Sequence, residues 1–282
     1  MDFGLTMFPT DETISVVDFG RAVEEYGFES IFLGDHTHIP ASRLSPYPAG
    51  GELPREFWHW HDPLIAFTAI AAVTKTLVLG TGTLVLTERD PIILAKQVAS
   101  LDHISGGRFR FGVGAGWNLE AMANTGTDPS HRMAIFTERL LAIKALWTMD
   151  NAEFHGKYVN FDPIWMWPKP LQKPHPPILV GGSGPGVLDR VLTLGDEWLA
   201  SGRHLDGDVL RSRVEELGRM AEERGRAPVR VTIQQGTPEP RAIDDYVSMG
   251  LVRCILRVHP VDPAGVIDQI KKLDKFVRSW RT

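Results

Sequence analysis

A chain of 282 residues, 43% hydrophobic and 23% charged, has the composition of a globular protein with a sizeable core. Its formal net charge of -5 without a basic run argues against a nucleic-acid partner, and no stretch nears the roughly 18 uninterrupted apolar residues of a membrane span. The lone cysteine, Cys254, excludes an internal disulfide, and the start Asp2-Phe3-Gly4-Leu5-Thr6 lacks a secretory pattern, so the expected compartment is the cytoplasm.

Taken in chain order, short apolar strands alternate with helical patterns. The first strand is predicted over Phe3 to Phe8, and a helix carrying Ile14, Val17, Phe19, Ala22 and Val23 ends at Gly27. A second strand follows over 29–33 and a helix over 63–73. The third strand is predicted over 77–86, with a helix over 91–101, and the fourth strand over 108–113, with a helix over 132–149. Strands five to eight are predicted at 178–180, 197–200, 229–233 and 251–258, with helices near 208–225, 241–249 and 263–278. Eight such units predict a closed (β/α)8 barrel filling residues 1–282 as a single domain, with a doubly wound open sheet as the runner-up.

Two segments break the alternation. Residues 36–61 hold four prolines and two glycines before Phe57-Trp58-His59-Trp60-His61. Residues 150–177 hold a small hairpin near 153–159, then Trp165, Trp167 and several prolines. Both are expected as insertions, after strands two and four, that overhang the barrel mouth.

Active sites of such barrels collect at the C-terminal ends of the strands. The second strand ends in Asp35-His36, a carboxylate beside a group that titrates near neutral pH. The fourth ends in Gly112-Val113-Gly114-Ala115-Gly116-Trp117, which leaves room for a flat ligand. The fifth runs through Ile178-Leu179-Val180 into Gly181-Gly182-Ser183-Gly184-Pro185-Gly186 ahead of an apolar helix start. Glycines let backbone N–H groups approach a ligand, and the helix adds its positive end, so this turn reads as a phosphate cradle. A plain tight turn is the competing reading. Trp58, Trp60, Trp117, Trp165 and Trp167 are candidate walls of an apolar substrate pocket. Trp147, at helical spacing with Leu140 and Ile143, and Cys254, inside the eighth strand, read as core. His59 and His61 lack an evident third partner, so no metal site is expected.

Together these motifs resemble the bacterial luciferase-like monooxygenase superfamily, and within it the oxidoreductases that use coenzyme F420, an 8-hydroxy-5-deazaflavin. The resemblance rests on Ser30-Ile31-Phe32-Leu33-Gly34-Asp35-His36, on Leu79 to Leu86 followed by Asp90-Pro91, on Leu101-Asp102-His103-Ile104-Ser105-Gly106-Gly107-Arg108, and on the two glycine-rich strand ends. It implies a cofactor ring near Asp35, His36 and a bulge at Thr83, Leu84 and Val85, with a non-proline cis peptide at Leu84–Val85. It implies further cofactor contacts at Gly114, Ala115 and Gly116, and phosphate held by Gly181, Gly182 and Ser183. His36 is then expected as proton donor or hydrogen-bond partner of the ring, oriented by Asp35. Relatives acting on sugar phosphates carry a glutamate where this chain has Trp117, so the expected substrate is a small apolar or aromatic molecule. Flavin mononucleotide (FMN) with oxygen is the alternative cofactor chemistry, a non-catalytic cofactor-binding protein the alternative of another class, and a homodimer the expected assembly.

Overall fold

In the computed structural model, which describes residues 1–205 and 207–282, parallel strands close on themselves. Barrel strands are β1 (Asp2–Thr6), β2 (Ser30–Leu33), β3 (Val78–Thr81), β4 (Leu84–Val85) and β5 (Phe109–Gly114). A separate antiparallel hairpin, β6 (Ala152–His155) and β7 (Asn160–Ile164), intervenes. The barrel resumes with β8 (Ile178–Gly181), β9 (Glu197–Ser201), β10 (Arg230–Gln234) and β11 (Arg253–Arg257). The order is β3-β2-β1-β11-β10-β9-β8-β5-β4, and β3 also pairs with β5, which closes the ring. Strands buried on both faces read as continuous apolar runs, which is why they were legible as short blocks of Val, Ile, Leu and Phe.

The helices α1 (Val16–Glu25), α2 (Pro63–Val73), α3 (Pro91–Ile104), α4 (Leu119–Asn124), α5 (Arg132–Thr148), α6 (Val187–Leu194), α7 (Gly207–Glu223), α8 (Pro240–Ser248) and α9 (Pro263–Arg281) return the chain between strands. Their starts are chemically explicit. Asp62, Asp90 and Asp262 each precede a proline at the first helical position, and each carboxylate accepts from a following backbone N–H. The main core lies between strands and helices, and a small inner cluster of Phe32, Leu179, Leu199 and Ile255 fills the barrel. Below it Arg253, 1% exposed, holds Glu29 at 2.6 Å and faces Glu197 at 3.8 Å, plugging the N-terminal end with charge. Among the described residues no helix is long and apolar enough to cross a membrane.

Three expectations need correction. The predicted third strand is two pieces: β3 and β4 are separated at Gly82–Thr83, and a 3-10 turn over Leu86–Glu88 follows. The non-proline cis peptide is Gly82–Thr83 rather than Leu84–Val85. Residues 150–177 do not overhang the mouth. They follow α5, so they lie at the opposite end, where Lys169 donates to the Leu146 carbonyl at 2.8 Å and Gln172 to the Phe109 carbonyl at 2.8 Å, at the start of β5.

Candidate active site at the barrel mouth

The C-terminal ends of the strands open into one cleft with two lobes. The first, of about 220 Å3, is lined by Phe8, His36, Tyr47, Phe57, Trp60 and Trp117 on one side and by Ser201, Arg203, His204 and Gln234 on the other. The second, of about 440 Å3, runs past Thr83 and Gly114 to Gly116 toward Gly181 to Gly184, Arg132 and Arg190. Gly82, Thr83, Gly116, Trp117 and Gln234 line both, so the lobes are continuous.

The aromatic wall is built by the segment after β2. An isolated bridge between Thr10 and Trp60, and the bond from His61 N to the Pro9 carbonyl at 3.1 Å, pin that segment beside the end of β1. Trp60 then stacks on Phe8 with centroids 4.1 Å apart and lies 5.0 Å from the His36 ring. The loop is tied on its other flank by Glu120, whose carboxylate accepts from Leu44 N at 2.9 Å and Ser45 N at 2.6 Å. The hydroxyls of Ser42 and Ser45, with those two backbone N–H groups, pull the Glu120 pKa down to about 2.

Asp35 is only 3% exposed, and it does not orient His36. Its carboxylate accepts from Arg89 twice, at 2.7 and 3.1 Å, and from Val85 N at 3.0 Å. Arg89 also holds Asp62 at 2.8 Å. Asp35 therefore anchors β4 to the end of β2. His36 meets Trp117 instead: the indole Nε1–H donates to His36 Nε2 at 3.2 Å. Burial, with His38 nearby, lowers the His36 pKa to about 4, so the ring is neutral at pH 7. His36 Nδ1 and Trp60 Nε1 are buried without a hydrogen-bond partner among the described residues.

The turn after β8 closes the far end of the second lobe. Gly182 has φ +133°, Gly186 opens α6 from a left-handed φ of 70°, and Trp198 Nε1 donates to the Gly182 carbonyl at 3.0 Å. The N–H groups of Ser183 and Gly184 find no acceptor among the described residues. With Arg132 and Arg190 lining the same lobe, the donor set suits a phosphate.

Of the residues singled out by sequence, Asp35, His36, Thr83, Val85, Gly114, Ala115, Gly116, Trp117, Gly181, Gly182 and Ser183 all line the cleft. Leu84 does not; it is wholly buried in the core. Trp58 is 50% exposed and Trp165 82% exposed, the latter donating to the Asn151 side chain, and neither lines the cleft. Trp147 and Cys254 are core, and burial pushes the Cys254 thiol up to about 12. Trp60, a candidate wall, does line the cleft, and Trp167, 57% exposed, does not. Sequence reasoning missed Phe57, although it stood in the aromatic run it noted. It also missed Arg89, Arg132, Arg190 and Arg203, which no local pattern marks.

The sequence profile of the luciferase-like monooxygenases matches residues 7–238. An uncharacterized protein of Mycobacterium tuberculosis is 38% identical over 212 residues, 74% of this chain and 75% of its own. The F420-dependent glucose-6-phosphate dehydrogenase of Nakamurella multipartita is 27% identical over 266 residues, 91% of this chain and 73% of its own. The FMNH2-dependent dimethylsulfone monooxygenase of Pseudomonas putida is 32% identical over 140 residues, 49% of this chain and 38% of its own. The monooxygenase RslO1 from Streptomyces bottropensis superposes with a TM-score of 0.84 at 19% identity, covering 100% of both chains.

Proposed function

This chain belongs to the luciferase-like monooxygenase family and is an oxidoreductase, and we propose that it uses coenzyme F420 to move a hydride to or from a small apolar or aromatic substrate. The observation that carries the reading is the continuity of an aromatic cavity with an anion-binding turn across the Gly82–Thr83 bulge. The residues fit such a ring cofactor. A Cβ on Gly181 would run into Thr83 Cγ2, and one on Gly114 would stand 2.6 Å from Thr83 Oγ1, so these strand ends are kept bare around the bulge. The orphaned His36 Nδ1 supplies a polar contact.

A bound deazaflavin supplies two-electron chemistry, having carbon where a flavin has its reactive ring nitrogen. The protein supplies position and a dry pocket. Ser183 and Gly184 N–H groups and the flanking arginines hold the phosphate arm. Thr83 and Val85, fixed through Asp35 and Arg89, support one face of the ring. Phe57, Trp60 and Trp117 exclude water and give an apolar surface to the substrate. Trp117 has no acid function, which disfavours a sugar phosphate.

One observation favours the deazaflavin over FMN. The F420-dependent relative aligns along 91% of this chain, the FMNH2-dependent one along 49%. Anaerobic titration of the purified protein with coenzyme F420 and with FMN, followed by tryptophan and cofactor fluorescence, tests the assignment. Tight binding of F420 alone is expected. Tighter binding of FMN moves the reading to an oxygen-using monooxygenase. We propose further that the chain is a homodimer, with sedimentation equilibrium giving twice 31.4 kDa.

A further inference from the structure

An indole nitrogen can only donate a hydrogen bond. The 3.2 Å contact from Trp117 Nε1 therefore makes His36 Nε2 the acceptor, a nitrogen without a proton. A neutral imidazole carries one proton, so it must stand on Nδ1. That Nδ1–H is buried and meets no partner among the described residues. A buried donor left without an acceptor is costly, and a site that tolerates it is prepared for an acceptor brought from outside.

The surroundings keep the ring neutral. His38 follows two residues on and adds like-charge repulsion. Asp35, the adjacent carboxylate, is taken up by Arg89 and Val85 N. Glu88 lies behind Thr37, whose hydroxyl donates to it at 3.1 Å. Arg203 and His204 occupy the facing wall of the cavity and bring no negative charge. Trp60 Nε1, the second orphan on this wall, is likewise a donor.

We propose that Trp117 is a positioning residue that fixes His36 as a neutral Nδ1–H donor, and that this N–H bonds a carbonyl-type acceptor on the molecule bound in the cavity. His36 then polarises an acceptor atom and is not the general base at neutral pH. The first half needs no cofactor. The second half rests on the reading of this cavity as the cofactor and substrate site, so a failed cofactor titration leaves the first half standing.

The test is long-range proton–nitrogen NMR of the full chain labelled with 15N-histidine, the His36 signals being identified by their loss in His36→Gln. The expected wild-type spectrum shows a protonated Nδ1 and a bare Nε2, titrating near the low midpoint of about 4. In Trp117→Phe, which keeps an aromatic ring but no donor, the single tautomer is expected to be lost and the midpoint to rise toward the ordinary 6.5. Trp117→Leu, which also lacks a donor, serves if that variant does not fold. A wild-type Nε2–H tautomer, or an unchanged tautomer in the folded variant, overturns the assignment. Addition of coenzyme F420 alone, or of acetophenone alone as an aromatic carbonyl, then locates the acceptor. A shifted Nδ1–H with the first assigns it to the cofactor, and with the second to the substrate. A signal that moves with neither removes the second half.

Discussion

Asp35 and Arg89 form a two-point ion pair at the barrel mouth, with Arg89 Nη2 2.7 Å from Asp35 Oδ1 and Nε 3.1 Å from Oδ2. The same carboxylate accepts from Val85 N, so the pair ties the end of β2 to the far half of the broken third strand. Removing one member of a buried pair strands the other, at about 3–5 kcal/mol. Arg89 retains Asp62 at 2.8 Å, so Asp35→Asn is expected near the low end, about 3 kcal/mol, by urea unfolding. Asp62, with 37% of its side chain exposed, is expected to cost under about 1 kcal/mol as Asn. Equal losses for the two variants would mean that Asp35 is not the anchor of the bulge.

Thr83 occupies the space that the strand ends leave bare. Gly181→Ala places a methyl group into Thr83 Cγ2, and β-branched Thr83 has little rotamer freedom to yield. The expected cost is about 1–3 kcal/mol of stability, with weaker cofactor binding. Thr83→Ser removes that methyl while keeping the hydroxyl. Combined with Gly181→Ala it is expected to recover most of both losses. A double variant no better than the single one would place the strain elsewhere in the turn.

The barrel and the place of its site were legible because they follow from period and punctuation. Apolar blocks such as Ile178-Leu179-Val180, Asp-Pro helix starts and glycine runs at strand ends are local signals. What was not legible depends on three-dimensional partners. Asp35-His36 looks like an acid–base pair in sequence, yet Asp35 turns to Arg89, 54 positions away, and His36 to Trp117, 81 positions away. Trp58 and Trp60 are equivalent in composition. The bridge to Thr10 sends only Trp60 into the cavity. Trp165 failed as a pocket residue because its segment follows a helix rather than a strand, which places it at the wrong end of the barrel. Arg132 and Arg190 are ordinary helix residues until the fold brings both to the turn after β8.

Glu88 gives a pH dependence of unusual sign. Burial, with Asp35 nearby, raises its pKa to about 7 against an ordinary 4.5, while the Thr37 hydroxyl and Arg89 oppose the rise. The folded protein thus holds this proton more tightly than the unfolded chain. Stability is unaffected by Glu88 below pH 4.5, falls as pH rises from there, and carries the full penalty above about 7. Glu88→Gln is expected to match the wild type in urea unfolding at pH 4.5 or below and to exceed it by roughly 2–3 kcal/mol at pH 8. A variant less stable than the wild type at pH 8 would show that Glu88 is held ionised by its neighbours.

Glu120 controls the loop that carries the aromatic wall. Its carboxylate accepts from Ser42 Oγ, Leu44 N and Ser45 N, and Ser45 Oγ in turn accepts from Leu119 N at 3.0 Å, so α4 and the loop fasten each other. Arg43 stands between the tethered residues with a φ of 53°, a conformation uncommon for a residue with a side chain. Removing the carboxylate in Glu120→Ala is expected to free that turn and speed tryptic cleavage after Arg43 by about tenfold, since several charge-assisted bonds are lost together. Glu120→Gln, which keeps one carbonyl acceptor, is expected to fall between. Tyr47, Pro48 and Ala49 of the same loop line the cavity, so a bound cofactor is expected to slow the cleavage in both proteins. The carboxylate stays ionised down to about pH 2, so amide exchange at Leu44 and Ser45, corrected for intrinsic rates, is expected to show equal protection at pH 8 and pH 4. Protection that collapses at pH 4 would assign the tether to a group other than Glu120.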